Sequence, residues 1–121
     1  MPQILLIDDD VTFRSIAAAT LRQAGHSVTE ANDGRKGIAQ FCANRADLVI
    51  TDLVMPEKEG LETIMELRSR FPGVKIIAMS GSIHSPDYLL VAGKLGAKRT
   101  LAKPFTAKDL LGAVDAILGE T

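Results

Sequence analysis

Apolar positions fall into five short runs, at residues 4–7, 27–31, 48–51, 74–79 and 100–102, separated by segments with a different period. Most of the runs are continuous rather than alternating, which is the pattern of parallel strands covered on both faces. The intervening segments carry helical spacing. Phe13, Ile16, Ala17, Leu21 and Ala24 share one face before Gly25 stops the first helix. Asp33-Gly34 marks a turn, and Ile38 with Phe41 and Cys42 marks a second helix. Leu61, Ile64, Leu67 and Phe71 mark a third, closed by Pro72-Gly73. Ser85-Pro86 reads as the cap and first residue of a fourth. The last opens at Thr106, with Asp109 three residues on, and presents Leu110, Leu111, Val114, Ile117 and Leu118 for burial. Strand and helix alternate five times. Parallel strands need crossover helices, so the pattern predicts a doubly wound α/β sheet. With no repeat, low-complexity stretch or linker, a single domain is expected over residues 1–121.

Composition narrows the field. Aromatic residues make up 4% of the 121, so Ile, Leu, Val, Ala and Met must build the core. The net charge of −1 gives no electrostatic reason to expect nucleic acid or an anionic membrane as partner. Cys42 is the only cysteine, which excludes a disulfide framework and a cysteine metal set, and a lone thiol is expected to pack. No apolar run approaches the roughly 20 residues that span a bilayer, and no leader precedes the first run. A soluble cytoplasmic protein is the expectation.

Ligands of such folds collect at the carboxyl ends of the strands. There the first run is followed by Asp8, Asp9 and Asp10, the third by Asp52, the fourth by Ser80 and Gly81, and the fifth by Lys103. Alternation therefore brings carboxylates, a hydroxyl and an ammonium to one rim. Clustered carboxylates repel unless a cation joins them. Their oxygens suit a hard ion such as Mg²⁺, which shares its remaining positions with water and phosphate. Lys103 is a compact charge able to meet an anion, Ser80 can donate to a phosphoryl oxygen, and Gly81 permits close approach. An Asp carboxylate is a nucleophile for phosphoryl transfer, a reaction governed by positioning and charge neutralisation. Singly, each residue has a plainer role as a cap, turn or solvated lysine. Four strand ends with complementary groups are the signal.

These residues resemble the receiver domain of bacterial two-component response regulators. The resemblance covers essentially the whole chain: Ile-Asp-Asp-Asp at 7–10, Thr-Asp-Leu-Val-Met-Pro at 51–56, Gly60, Met-Ser-Gly at 79–81 and Lys-Pro-Phe at 103–105. It implies a flavodoxin-like five-stranded parallel sheet of order 2-1-3-4-5 with five helices. It further implies that Asp52 accepts a phosphoryl group from a histidine kinase or histidine phosphotransfer protein. Asp9 would be a direct Mg²⁺ ligand, and Asp8 would hold metal-bound water. Asp52 and the backbone carbonyl of Val54 would complete the metal set. Ser80 matches the switch hydroxyl, Lys103 matches the lysine that binds the phosphoryl oxygen, and the Lys103-Pro104 bond is expected to be cis. The switched surface around the fourth helix and fifth strand would control a downstream protein target.

One departure stands out. The family's switch aromatic usually lies three residues before the lysine, and here that position is Thr100. Transmission is expected to run instead through the fourth helix, where Gly93 lowers helix stability by roughly 1 kcal/mol relative to Ala. Packing is an equally good reason for that glycine. Lys94, Lys98 and Arg99 read as a solvated charged face, and His26 and His84 as surface residues. Val54 and Ser82, at positions that tune dephosphorylation in the family, offer no carboxylate or amide to orient water. A long-lived phosphoryl group follows.

Two other functions compete. A degenerate receiver would be a phosphorylation-independent binding module, which the intact set of Asp8, Asp9, Asp52, Ser80 and Lys103 opposes. An enzyme acting on phosphorylated metabolites would need a pocket or cap that these short loops do not build, so the chain is expected not to be an enzyme. Met1 and the end just past the fifth helix favour a stand-alone regulator over a fragment of a larger regulator or hybrid kinase.

Overall fold

The structure, a computed structural model, describes residues 2–53, 60–81 and 85–119, with the backbone alone over 85–88. Val54, Ser82 and His84 lie outside the described residues. The strands are β1 (Gln3–Ile7), β2 (Ser27–Ala31), β3 (Leu48–Asp52), β4 (Ile76–Ser80) and β5 (Arg99–Ala102). The helices are α1 (Val11–Gln23), α2 (Gly34–Ala43), α3 (Gly60–Arg70), α4 (Ser85–Leu95) and α5 (Ala107–Leu118). All strand pairs are parallel and the order is β2-β1-β3-β4-β5, as expected.

Successive residues of a strand point to opposite faces, so a sheet covered on both sides needs unbroken apolar runs. Ile4 and Leu6 pack with Ala17, Ala18 and Leu21 of α1 and Leu110, Val114 and Ile117 of α5. Leu5 and Ile7 pack on the other side, with Ile38 and Phe41 of α2 and Ile64 and Leu67 of α3. The three central strands are buried along nearly their whole length, and the edge strand β5 is mostly exposed. Fully burying each such Leu or Ile contributes about 1.5–3 kcal/mol, so the core fixes where the strand ends lie.

Local signals set the helix boundaries. Asp10 caps α1 by accepting from the Phe13 amide at 3.0 Å, and Asp33 caps α2 by accepting from Lys36 at 2.8 Å. Thr106 and Asp109 form a reciprocal capping box at α5, both bonds being 3.0 Å. Gly25 takes a left-handed φ of 96°, which is why the turn after α1 holds a glycine.

Three expectations need correction. Ile16 is 63% exposed and Ala24 is also exposed, because α1 turns Ala17, Ala18 and Leu21 inward, with Ala18 in place of Ile16. Cys42 is exposed rather than packed, since the inward face of α2 is already filled by Gly37, Ile38 and Phe41. His26 is half-buried, with its Nδ1 atom enclosed and unpartnered, rather than a surface residue.

Candidate functional site

Asp8, Asp9 and Asp52 converge although they come from two strand ends, and each offers an oxygen within 4.8 Å of the others. β1 and β3 are neighbours in the sheet, with Ile7 in register with Thr51. The residue after each pair therefore emerges on the same rim. Asp8 is fully buried, Asp52 is 7% exposed and Asp9 is open to solvent. Burying two carboxylates is costly unless positive charge or donors compensate.

The compensation is visible. Lys103 Nζ lies 2.7 Å from Asp8 Oδ2 and 3.6 Å from Asp52 Oδ2. Asp8 Oδ1 accepts from the Asp10 amide at 3.0 Å, and Asp52 Oδ1 accepts from the Leu53 amide at 2.8 Å. One oxygen of each carboxylate is thus oriented by backbone, while the other turns toward the lysine. The Lys103-Pro104 bond is cis, as expected, and the Lys103 amide donates to the Ser80 carbonyl at 2.9 Å.

Ser80 is fully buried at the end of β4, one residue past Met79, which stands in register with Asp52. Gly81 follows, and a Cβ there would come within 3.1 Å of the Lys103 side chain, so the small residue leaves room for that stem. At Gly60 a Cβ would run into the Asp52 carbonyl oxygen, and only glycine lets α3 start this close to the strand end. An open cleft of about 610 Å³, lined by Asp9, Asp10, Phe13, Asp52, Gly81, Lys103 and Pro104, gives solvent access to the cluster.

Two supporting features were not read from the chain. Arg14 donates to the Asp8 carbonyl at 2.7 Å and to Glu30 at 3.1 Å, tying the loop after β1 to β2. Phe13 lies beneath the Lys103 ammonium, 4.0 Å from ring centroid to nitrogen. Spacing marks Phe13 only as part of the apolar face of the first helix, and Arg14 carries no spacing signal. Neither contact is legible in the chain, because each partner belongs to a different segment.

The donor set fits a hard divalent cation: carboxylate oxygens only, no sulfur or imidazole, and one exposed member that leaves a path for entry. Thr100 is exposed on β5, in register with Ala78. Lys94, Lys98 and Arg99 are likewise exposed, beside a groove of about 680 Å³ between α4 and β5. No helix is long and apolar enough to cross a membrane among the described residues.

A rim of carboxylates and one lysine at the carboxyl edge of a 2-1-3-4-5 parallel sheet is the arrangement of a receiver-type α/β fold. The family model for the response regulator receiver domain matches residues 4–115, and the chain belongs to that family. It is 34% identical to a probable chemotaxis protein CheY of Rhizobium etli, over 97% of this chain and 92% of that protein. It is 32% identical to the transcriptional regulatory protein ZraR of Escherichia coli, over 98% of this chain and 26% of that protein. A DNA-binding dual master transcriptional regulator, RpaA of Synechocystis, is 32% identical and is spanned over 51% of its length. Among solved structures, a CheY-like receiver domain protein from Methanospirillum hungatei superposes with a TM-score of 0.92 at 26% identity, covering 98% and 94% of the two chains. TrrA of Thermotoga maritima, solved in complex with Mg²⁺-BeF, has a TM-score of 0.87 at 28% identity, covering 97% and 99%.

Proposed function

We propose that this receiver domain works as a phosphorylation-dependent switch in a two-component phosphorelay, with Asp52 as the acceptor and Mg²⁺ as the cofactor. The observation that carries the reading is the meeting of Asp8, Asp9 and Asp52 within 4.8 Å beside the Lys103 ammonium. Phosphoryl transfer needs an oxygen nucleophile, neutralisation of the phosphoryl oxygens and little other covalent chemistry.

Asp8, Asp9 and Asp52, with the carbonyl of Val54, would hold the ion. When bound it neutralises charge on the phosphoryl oxygens. In the transfer, an Asp52 carboxylate oxygen forms the new O–P bond while the P–N bond of the donor phosphohistidine breaks. The electron pair stays on the imidazole nitrogen, which takes up a proton. Lys103, already 3.6 Å from Asp52 Oδ2, donates to a phosphoryl oxygen of the product. The Ser80 hydroxyl donates to another and draws the end of β4 toward the site. The Lys103 amide is bonded to the Ser80 carbonyl, so the shift reaches β5 through backbone. That route needs no aromatic at Thr100.

The partners on this reading are proteins: a cytoplasmic histidine kinase or histidine phosphotransfer protein as donor, and a downstream target that docks on the α4–β5 surface. The domain then acts by signalling, not by turning over a metabolite. The Mg²⁺-BeF complex of TrrA supports the choice of ion. The test is incubation with acetyl phosphate, with and without Mg²⁺, followed by intact mass. One Mg²⁺-dependent phosphoryl adduct per chain is expected. No adduct under any condition would replace the switch with an unphosphorylated binding module.

A further inference from the structure

Beyond the residues assigned above, the ring of Phe13 meets the lysine of the site. The Lys103 ammonium lies 4.0 Å from its centroid, close enough for the ring face to attract the cation. Phe13 also meets Phe105, with centroids 5.4 Å apart and planes at 86°. Two side chains of the segment after β5 therefore bear on one ring in the first turn of α1. The Asp10 cap, bonded to the Phe13 amide at 3.0 Å, fixes where that ring starts.

We propose that Phe13 is a positioning residue whose ring holds the Lys103 ammonium between Asp8 and the phosphoryl group of Asp52. The proposal rests on the reading of Asp52 as acceptor. A lysine carries a long flexible stem, and one ion pair fixes only its tip. Asp8 alone draws that tip toward β1, as the distances of 2.7 Å to Asp8 and 3.6 Å to Asp52 record. A neutral ring adds an attraction independent of either carboxylate. It is not an oxygen acceptor competing for the ammonium N–H groups, and it adds no negative charge to repel a phosphoryl group. The Lys103 side chain is only 16% exposed, a setting in which cation–ring attraction exceeds its value in open water. Gly81 leaves room for the stem of the same lysine, while Phe13 bears on its tip.

The test compares the full chain with Phe13→Leu and Phe13→Tyr. Ring currents should shift the Lys103 Hε resonances upfield in the wild type and in Phe13→Tyr, and the shift should vanish in Phe13→Leu. The initial rate of Mg²⁺-dependent phosphorylation by acetyl phosphate should fall about threefold to tenfold in Phe13→Leu. In Phe13→Tyr it should stay within about twofold of wild type, since the ring face is kept. In a Lys103→Met background, Phe13→Leu should add no further loss, which a general packing role would not predict. Should Phe13→Leu fail to fold, Phe13→Met takes its place. If the wild type takes up no phosphoryl group, the Asp52 reading falls and this proposal with it. If the wild type is phosphorylated and Phe13→Leu keeps pace, or the upfield shift is missing, only the role of Phe13 is overturned.

Discussion

The Lys103 ammonium lies 2.7 Å from Asp8 Oδ2, although the strands that deliver them, β5 and β1, are separated in the sheet by β3 and β4. The contact reaches across the carboxyl rim and encloses Asp52 on the way. Asp8 is fully buried, and among the described residues Lys103 is the cation that pairs with it.

Removing that cation should therefore unmask repulsion between the carboxylates. Breaking a buried pair costs about 3–5 kcal/mol, and the partial solvent access at this rim brings the figure for Lys103→Ala to about 2 kcal/mol. Chemical unfolding without Mg²⁺ should show that loss, and saturating Mg²⁺ should shrink it, because the ion supplies the missing positive charge. An equal loss with and without Mg²⁺ would mean that the lysine contributes through packing.

Mg²⁺ should raise stability by binding the folded state. At a free concentration ten times Kd the gain is about 1.4 kcal/mol. Asp9 is exposed, so Asp9→Asn should leave the metal-free fold at least as stable while abolishing most of that gain. An unchanged Mg²⁺ response in this variant would remove Asp9 from the ligand set.

Gly60 is predicted to tolerate no side chain. Its Cβ would run into the Asp52 carbonyl oxygen, and its amide donates to the Leu53 carbonyl at 3.0 Å. Gly60→Ala should cost about 1–3 kcal/mol by forcing backbone apart, and it should slow phosphorylation by displacing Asp52. Wild-type stability and rate in this variant would contradict the tight approach.

Gly93 should behave in the opposite way. Among the described residues nothing lies within 4 Å of a Cβ placed there, so packing does not require the glycine. Gly93→Ala should stabilise the domain by about 1 kcal/mol. If a soft α4 carries the signal, the same change should weaken phosphorylation-dependent binding of the target. A loss of stability would contradict the open space around Gly93.

Much of this was legible in the chain because it follows from short-range pattern. The runs at 4–7 and 48–51 had to be buried strands, since both faces of each are apolar, and Asp8 and Asp52 had to emerge beside one another once those strands paired. Ile16 misled because helical spacing marks a stripe without saying which flank meets the sheet, and the small Ala18 lies closer to it. The Phe13–Lys103 contact was hidden for a different reason. It depends on the path of the segment after β5, and no periodicity encodes that path. Arg14 belongs to the same class, joining α1, β2 and the Asp8 carbonyl through three separate segments.

The central claim is that Asp52 receives the phosphoryl group. An aspartyl phosphate is reduced by borohydride to homoserine, which marks the acceptor in a peptide mass spectrum. After treatment with acetyl phosphate and Mg²⁺, homoserine should be found at position 52 and nowhere else, and Asp52→Asn should give none. Homoserine at Asp8, Asp9 or another carboxylate, with residue 52 unmodified, would contradict the account.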